Sequence, residues 1–451
     1  MYQSTSMPVT YTKGRRYLFQ FVFLYILLYI FPFPLDLLVS MPQRFLEWVG
    51  EWSGWGFLQT ASDAIDTSFG YYNQFWQWLV PWVAKHIFLL QNPITVFTNG
   101  SGDTTYDWVT IPIKALLALM GSGLWLLWRR PINTARLYQL LLLLMRYYLA
   151  YMMLSYGFAK LIQSQFPYPP LGRLVQPYGE SSPMGLAWTF MGYSYGYNVF
   201  TGGCEVLAGL LLLFRRTQAF GALFTMTVCT TIFVMNLCFD IPVKLFSFHL
   251  LLFATYIAAA DYQRITAFFF KGKEAQLHRF PYFFATHRWG KRWHLAKWVI
   301  IAFLLYTNYA DKMKGYKEYG MGKPKPPLYG IYNAQCKIVN NDTVPLLYND
   351  TTNWKQLLIG VPGYARIRLL NDSFRRYVFE LDTLQHAVLI HPANDTNNKY
   401  RMDYRTPPGK LLLTGRVNGD SVQLWFDRFD ENKLLLNSRG FHWVNEAPYN
   451  R

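Results

Sequence analysis

Charged residues are scarce in this sequence, and the acidic ones are the scarcer kind. Only 15% of the 451 residues are Asp, Glu, Lys or Arg, against about 25% in an average soluble domain. With 52% hydrophobic residues, such a chain is not typical of a uniformly soluble protein. The average conceals two regions. Up to about residue 312, apolar runs recur at the length that a bilayer requires, and beyond it polar and β-forming residues alternate.

Cysteine is also rare, and recognisable cofactor signatures are missing from the sequence. The four cysteines form neither a disulfide framework nor a zinc-binding spacing. The sequence contains no haem, flavin or iron–sulfur signature, so it indicates no redox cofactor of its own. Internal repeats and low-complexity tracts are absent as well.

The net charge of +17 comes from basic residues gathered at the ends of apolar runs, which is not the pattern of a nucleic-acid-binding surface. These clusters are Lys13, Arg15 and Arg16; Arg129 and Arg130; Arg215 and Arg216; and the run 271–297. Since Lys and Arg collect on the cytoplasmic side of membrane proteins, we expect a cytoplasmic N-terminus, seven spans and a C-terminus on the opposite side. The first apolar run lacks a small-residue cleavage site, which predicts a retained signal-anchor helix.

Apolar runs of suitable length define the expected spans. They cover residues 17–39, 110–128, 136–162, 198–214, 219–239, 246–260 and 298–310. A tryptophan-rich stretch over 41–108 predicts re-entrant or surface-lying helices, because tryptophan favours the bilayer interface. An aromatic loop rich in Pro and Gly occupies about 163–197.

The chain is expected to contain four parts. These are an N-terminal membrane region with two spans (1–134), a helical bundle with the last span (135–312), a linker rich in Gly, Pro and Lys (313–328), and a β-rich domain (329–451). Strands are predicted at 364–370, 377–382, 386–391, 399–405, 410–417, 421–429 and 433–444. The Asn418–Gly419 pair predicts a tight hairpin turn. Eight to ten short strands favour a small antiparallel barrel or sandwich outside the membrane.

Several polar side chains interrupt the predicted spans and their connecting turn. They are Arg146, Tyr151, Tyr156, Lys160, Glu205, Asn236, Asp240, Lys244 and His249. Polar groups inside spans usually face the bundle interior, pair with one another and mark functional paths. We therefore expect a polar pocket in the outer half of the bundle, open toward the β-rich domain. In this pocket, the negative charges of Glu205 and Asp240 would offset the positive charges of Lys160, Lys244 and Arg146.

A purely structural interpretation applies to most of these residues. Lys160 and Lys244 can extend to the lipid headgroups, Asn236 and Asp240 can cap helix ends, and a single histidine such as His249 is more often a packing residue than a ligand. Glu205 is harder to explain in this way, because an acid within a span costs about 2.5 to 3.5 kcal/mol on insertion scales.

Cys204 and Cys238 fall in the outer half of successive spans. They would form a redox pair if their Cα atoms came within about 7 Å. The alternative is that each is an ordinary small apolar residue.

The stretch MRYYLAYMMLSYGFAKL, followed by GGCEVLAGLLLLF, resembles the DoxX/DoxD-like membrane family. That family combines an Arg and a Gly-x-x-Lys in one helix with a Glu-x-x-x-Gly in the next, which correspond here to Arg146, Gly157 with Lys160, and Glu205 with Gly209. The resemblance covers about residues 135–265 and implies a four-helix bundle around these groups. The extra N-terminal spans and the β-rich domain indicate an extended variant.

The resemblance implies a membrane redox subunit that interacts with quinone. The β-rich domain would be periplasmic, in a bacterial inner membrane, and would bind a protein partner. Other family members, however, point to a non-enzymatic component that binds a lipid, a small solute or a cargo. A third interpretation treats the buried charges as scaffolding alone.

Overall fold

The structure is a computed structural model. It describes residues 13–36, 56–94, 96, 100–127, 133–272, 290–318, 320–345, 352–395 and 398–450. The predicted basic residues Arg129 and Arg130, most of the basic run 271–297, and the tryptophans at 48, 52 and 55 lie outside the described residues.

The first part of the chain is helical. Its helices are α1 (Lys13–Ile30), α2 (Gly56–His86), α3 (Thr105–Leu127), α4 (Thr134–Leu161), α5 (Leu171–Leu174), α6 (Pro183–Tyr193), α7 (Tyr195–Leu213), α8 (Gln218–Cys238), α9 (Lys244–Ala260), α10 (Tyr262–Lys271) and α11 (Gly290–Glu318). A single 3₁₀ turn lies between α5 and α6, and a short helix α12 (Leu435–Ser438) follows the last strand.

Four helices in the described part of the chain are long and apolar enough to cross a membrane, namely α3, α4, α7 and α8. The consecutive helices α9 and α10, bent by 75°, make a fifth if the pair is one span. These five correspond to the second through sixth predicted spans. The first and seventh predicted spans coincide with α1 and α11, which carry polar and charged residues toward their ends. The chain therefore has the composition of an integral membrane protein.

Side-chain caps fix where the membrane helices begin. At the start of α3, Thr104 and Asp107 bond reciprocally, since the Thr104 N–H donates to Asp107 Oδ2 at 2.9 Å and the Asp107 N–H donates to Thr104 Oγ1 at 3.3 Å. This is a capping box, which satisfies N–H groups that have no partner within the helix. Asn133 Oδ1 caps α4 by accepting from the Arg136 N–H at 3.1 Å. A shared apolar core, with Met145 and Leu149 of α4 and Leu212 of α7 fully buried, joins α4 to α7.

The second part of the chain is a closed antiparallel barrel. Its strands are β1 (Gly330–Val339), β2 (Asp342–Val344), β3 (Trp354–Val361), β4 (Gly363–Leu369), β5 (Phe374–Asp382), β6 (Ala387–Pro392), β7 (Tyr400–Arg405), β8 (Lys410–Val417) and β9 (Asp420–Phe429). Each strand from β3 to β8 pairs with the next, β1 pairs with β3, and β9 pairs back with β1 to close eight strands. The short β2 extends β1 as a hairpin.

Alternation along each strand fills the barrel. In β4, Ala365, Ile367 and Leu369 are buried, whereas the alternate residues Tyr364 and Arg366 are exposed. The interior also contains Leu357, Phe379, Leu411 and Phe426. The predicted turn at Asn418–Gly419 is confirmed: both residues have positive φ (53° and 94°), as a two-residue hairpin of type I′ requires.

The β-rich prediction was correct for six strands and wrong for one. Residues 433–444, predicted as a strand, form part of a 3₁₀ turn, the short helix α12 and an exposed tail. Since β9 already pairs with β8 on one side and β1 on the other, it has no free edge to which the segment that follows could add a strand. Conversely, β1, β2 and β3 escaped prediction, because β1 carries Asn333 and Gln335 and is interrupted by a bulge between Ala334 and Cys336.

The chain divides into two compact units. The helical unit comprises Met1–Gln165 and Tyr195–Gly315, and the barrel unit comprises Phe166–Ser194 and Tyr316–Arg451. Residues 166–194, expected as a loop of the membrane domain, thus belong to the barrel unit. Within that unit, Leu171 packs with Ile331 and Leu358 on the outside of the barrel wall. The predicted linker is partly ordered, since α11 continues to Glu318 and Leu328 is buried in the barrel core.

Candidate functional site

A buried ion pair lies between α4 and α7. Lys160 Nζ donates to Glu205 Oε1 at 2.5 Å, and the residues are only 5% and 2% exposed. Charge-assisted hydrogen bonds are short and about twice as strong as neutral ones. The two residues come from different helices, 45 positions apart in sequence. The structure therefore confirms that this lysine and this acid, singled out in the sequence, face each other.

Glycines bring the two helices close enough for this pair to form. A Cβ on Gly157 would lie 2.8 Å from the Val206 backbone nitrogen and 2.9 Å from the Gly202 carbonyl oxygen. A Cβ on Gly202 would lie 2.8 Å from the Gly157 oxygen, and one on Gly209 would lie 2.9 Å from the Ala150 oxygen. These contacts are to backbone, so a side chain there cannot be accommodated by a rotamer change. Small residues at a membrane helix interface permit such close backbone approach.

The pair leaves one strong acceptor without a donor. Glu205 Oε2 is buried and receives no hydrogen bond from any described residue. A carboxylate has two oxygens that accept hydrogen bonds, and leaving one of them buried and unsatisfied costs free energy. Tyr156, one turn before Lys160 on α4, lies within electrostatic range of Glu205 and is 37% exposed. The site thus combines an ammonium group, a carboxylate with a spare oxygen, and a nearby phenol that is partly accessible.

The predicted partners Asp240 and Lys244 form a different arrangement. Lys244 Nζ contacts Asp240 Oδ1 at 2.9 Å, and the Asp240 side chain is 84% exposed, so Asp240 is not a buried counter-charge. Asp103, which sequence reasoning missed, caps α9 instead. Its two carboxylate oxygens accept from the Lys244 and Leu245 N–H groups at 2.7 and 2.9 Å. The neighbouring Gly102 N–H also donates to the Pro242 oxygen at 2.7 Å. This region ties the α8–α9 turn to the loop before α3.

Asn236 and His249 are buried, and their side chains form hydrogen bonds that connect neighbouring helices. Asn236 Nδ2 donates to Ser247 Oγ at 2.9 Å and so joins α8 to α9. His249 Nδ1 lies 2.7 Å from the Leu245 oxygen, and its Nε2 lies 2.7 Å from the Tyr25 hydroxyl. Because a carbonyl oxygen only accepts, Nδ1 carries the hydrogen and Nε2 accepts from Tyr25. The Tyr29 ring stacks on the imidazole at 3.9 Å.

Arg146 lies apart from the Lys160–Glu205 pair. Arg146 is fourteen positions before Lys160 on α4, which is about 21 Å at helical rise. Its Nη1 donates to Gln218 Oε1 at 2.8 Å, at the start of α8. The expectation that Arg146 joins the same pocket is therefore wrong. Tyr151 is half-buried and lies within electrostatic range of Tyr148.

The proposed cysteine pair is not bonded in the structure. Cys204 is half-buried, Cys238 is exposed, and both are free thiols. Cys229, which the sequence analysis did not single out, is buried and lies within electrostatic range of both Glu205 and Lys160. The spacing in the sequence could have indicated this position. Thr225 and Cys229 are four positions apart and Cys229 and Asn236 are seven apart, so all three lie on one face of α8, and all three are buried.

Comparison with known proteins yields one partial similarity. A stretch of 101 residues is 40% identical to the uncharacterized protein YwoB of Bacillus subtilis (strain 168). The stretch covers 22% of this chain and 62% of YwoB, so the chain spans less than two thirds of that relative's length. No protein family model matches the chain, and no solved structure matches it. The resemblance to the DoxX/DoxD-like family remains an expectation from the residues named above.

Proposed function

We propose that this protein is a seven-span membrane protein that binds quinone at the Lys160–Glu205 pair and serves as a subunit of a redox complex. The observation that carries the proposal is the buried Glu205 Oε2, which lacks a donor among the described residues. The hydroxyl of a reduced quinone ring is a suitable donor to it. Lys160, already beside Glu205 at 2.5 Å, is a suitable donor to a quinone carbonyl.

The residues around the pair fit a ligand that arrives from the lipid phase. Tyr156 is 37% exposed and packs with Phe246 of α9 at 5.7 Å between ring centroids. Its ring offers an apolar face and a polar hydroxyl group. A bound quinone would supply the electron-carrying ring, with electrons delivered by a partner protein. The chain itself would hold the head group and exchange protons at the Glu205 carboxylate.

The proposed topology places the N-terminus in the cytoplasm of a bacterial cell and the barrel unit in the periplasm, where a protein partner would dock. Its support is the distribution of Lys and Arg between alternate connections. Single cysteines introduced into the barrel at exposed positions such as Arg416 are expected to react with membrane-impermeant maleimides in intact spheroplasts. Labelling only after lysis would contradict this orientation.

The alternative function is non-enzymatic binding or transport of a lipid or small solute, with the barrel engaging a cargo. The same spare carboxylate oxygen would then accept from a hydroxyl or ammonium head group. Both functions predict a ligand at Glu205, and they differ in its chemistry.

Extraction of bound small molecules separates the two functions. Protein purified in mild detergent should release quinone into organic solvent, as detected by mass spectrometry. The Glu205→Gln variant should release little, and Tyr156→Phe, which keeps the ion pair, should release less than the unaltered protein. Asp240→Asn is the matched control, because it neutralises an exposed carboxylate of the same unit, and it should retain quinone.

Two other results would decide against the redox proposal. Protein that retains a lipid or solute but no quinone, with loss in Glu205→Gln, favours the binding and transport function. Equal quinone content in all variants would show that the quinone is bound elsewhere or dissolved in the detergent.

A further inference from the structure

Three arginines converge on the outside of the barrel unit. Arg173 lies on α5, Arg366 on β4 and Arg376 on β5. Arg366 and Arg376 are directly opposite each other in the antiparallel β4–β5 pair. Like charges in directly opposed positions destabilise a sheet. The sequence therefore places two cations where folding alone would disfavour them.

Glycines shape the surface around these guanidinium groups. A Cβ on Gly172 would lie 2.6 Å from Arg366 Nη1, and a Cβ on Gly185 would lie 2.6 Å from Arg173 Nη2. Each guanidinium thus lies directly against a glycine backbone. Gly185 is in the first turn of α6, whose N-cap is Ser182. The N-terminal end of a helix carries a partial positive charge, which adds to that of the arginines.

The described residues supply these arginines with no negative counter-charge. Arg173 Nη1 donates to the neutral Gln176 Oε1 at 2.7 Å, and Arg366 lies over the Phe374 ring at 5.1 Å. Neither Arg366 nor Arg376 forms an ion pair with a described carboxylate. Arg368, by contrast, contacts Asp372 Oδ1 at 3.1 Å. Burial and the charges of Arg376 and Arg173 lower the pKa of Arg366, which is the direction expected when cations are crowded together.

We propose that Arg173, Arg366 and Arg376 form a binding site for a phosphate-bearing anion. The planar guanidinium fork matches the geometry of phosphate oxygens and forms paired hydrogen bonds with them. A bound phosphate would remove the repulsion between the opposed arginines and would also interact favourably with the start of α6. This site uses none of the residues of the Lys160–Glu205 pair and stands independently of the quinone proposal.

A phosphate in solution and a lipid head group offer the same chemistry, and two probes distinguish these sources. The full-length protein in detergent is titrated with inorganic phosphate and, separately, with a short-chain phosphatidic acid, and unfolding of the barrel is followed at constant ionic strength. We expect a saturable rise in melting temperature with at least one probe. A response to phosphatidic acid alone assigns the site to a lipid head group, and a response to inorganic phosphate assigns it to a solute.

Variants test whether the three arginines are responsible. Arg366→Gln and Arg376→Gln should each weaken binding by about tenfold or more, the usual effect of losing a hydrogen bond to a charged group. Gly172→Ala should also weaken binding, because its methyl group displaces the Arg366 guanidinium while every arginine remains. Arg416→Gln, an exposed arginine on β8, is the matched control and should bind normally.

Two outcomes would overturn the proposal. One is the absence of any response beyond that of chloride at the same ionic strength, which would mean that the arginines are neutralised by ordinary salt. The other is an equal loss of affinity in Arg416→Gln and Arg366→Gln, which would show that only the net charge of the barrel matters.

Discussion

The Lys160–Glu205 pair is almost entirely buried. Removing two charges from water costs free energy that their attraction only partly returns, so a buried pair is weak evidence of a stabilising role. The presence of a spare carboxylate oxygen beside it is the observation on which the proposed ligand binding rests. The free energies of unfolding of variants measure what burial of the pair costs, independently of any ligand that the pair binds.

Removing one partner should be far more harmful than removing both. Lys160→Met and Glu205→Met should each lower the free energy of unfolding by about 3–5 kcal/mol, because the remaining group is left without its partner. The double variant Lys160→Met/Glu205→Met should lie close to the unaltered protein, since two apolar side chains of similar volume replace the ions. Reversible unfolding in mixed micelles measures all three. Additive losses in the double variant would contradict the arrangement.

Asp372 provides a pH-dependent contact in the barrel. Its carboxylate accepts from Lys355 Nζ at 2.6 Å and contacts Arg368 Nε at 3.1 Å. The hydrogen bond from Lys355 is the main reason that the pKa of Asp372 lies below its ordinary value. The contact therefore stabilises the barrel above the unfolded-state pKa of about 3.9. That contribution is lost as the pH falls through the lower, folded-state pKa.

The Asp372→Asn variant should reduce this dependence on pH. Asparagine tolerates the left-handed backbone at this position, where φ is 66°. At pH 7 the variant should be less stable by up to about 1 kcal/mol, because the side chain is 41% exposed and solvent screens the pair. The difference should vanish near pH 2. Melting curves of the amide infrared band of the β-sheet, recorded at both pH values, test this expectation, and a constant difference would contradict it.

For individual residues, the sequence could identify the ion pair but not the surroundings of every polar side chain. Lys160 and Glu205 stood out because a charge within an apolar run demands a partner. Asp240 gave the same signal, yet its side chain is exposed at the end of α8. Position near a helix end does not reveal whether a side chain turns inward. The capping role of Asp103 was hidden because it acts on a helix 141 positions later.

Among the elements, the α4–α7 interface depends on close backbone contact. Gly202→Ala should destabilise the helical unit by about 1–3 kcal/mol, because its Cβ would lie 2.8 Å from the Gly157 oxygen and 3.0 Å from the Leu161 nitrogen. Gly203→Ala is the matched control, since a Cβ there meets nothing within 4 Å. Because alanine favours helix, the control should be neutral or more stable by up to about 1 kcal/mol. Thermal unfolding followed by helical circular dichroism compares them, and equal effects would contradict the close packing.

Elements with strict alternation and clear turns were predictable, and irregular ones were not. In β4 to β9 every second residue packs into the barrel core, and Asn418–Gly419 marks the last hairpin. The β1–β2 hairpin has a comparable signal in Asn340–Asn341, both with positive φ, but β2 has only three residues. The apolar run in 433–444 resembled a strand, although the pairing of β9 with β1 leaves it no edge. Closure of a sheet is a property of the fold that local pattern does not contain.

At the scale of the whole molecule, the barrel unit is assembled from two distant stretches of chain. Residues 166–194 belong to it although more than 130 positions separate them from β1. Leu171, Ile331 and Leu358 form a small apolar cluster that needs both stretches. Arg368 Nη1 also donates to the Val175 oxygen at 3.3 Å.

A barrel fragment should therefore require its missing segment. Residues 316–451 expressed alone should be less stable than the same fragment mixed with a peptide of residues 166–194, because Ile331 and Leu358 lose their apolar cover. Burying those side chains contributes about 1.5–3 kcal/mol each, so the peptide should raise the melting temperature measurably. A peptide carrying Leu171→Asp is the control and should have little effect. Equal stability with and without either peptide would contradict this two-stretch assembly.

The pairing of β1 with β9 also has a consequence for biosynthesis. Until the ribosome has added residue 429, β1 and β8 each present an unsatisfied row of backbone donors and acceptors, and such rows promote association between chains. Truncated translation products are consequently prone to aggregate and easy for proteases to recognise. Addition of β9 covers both of these exposed strand edges at once.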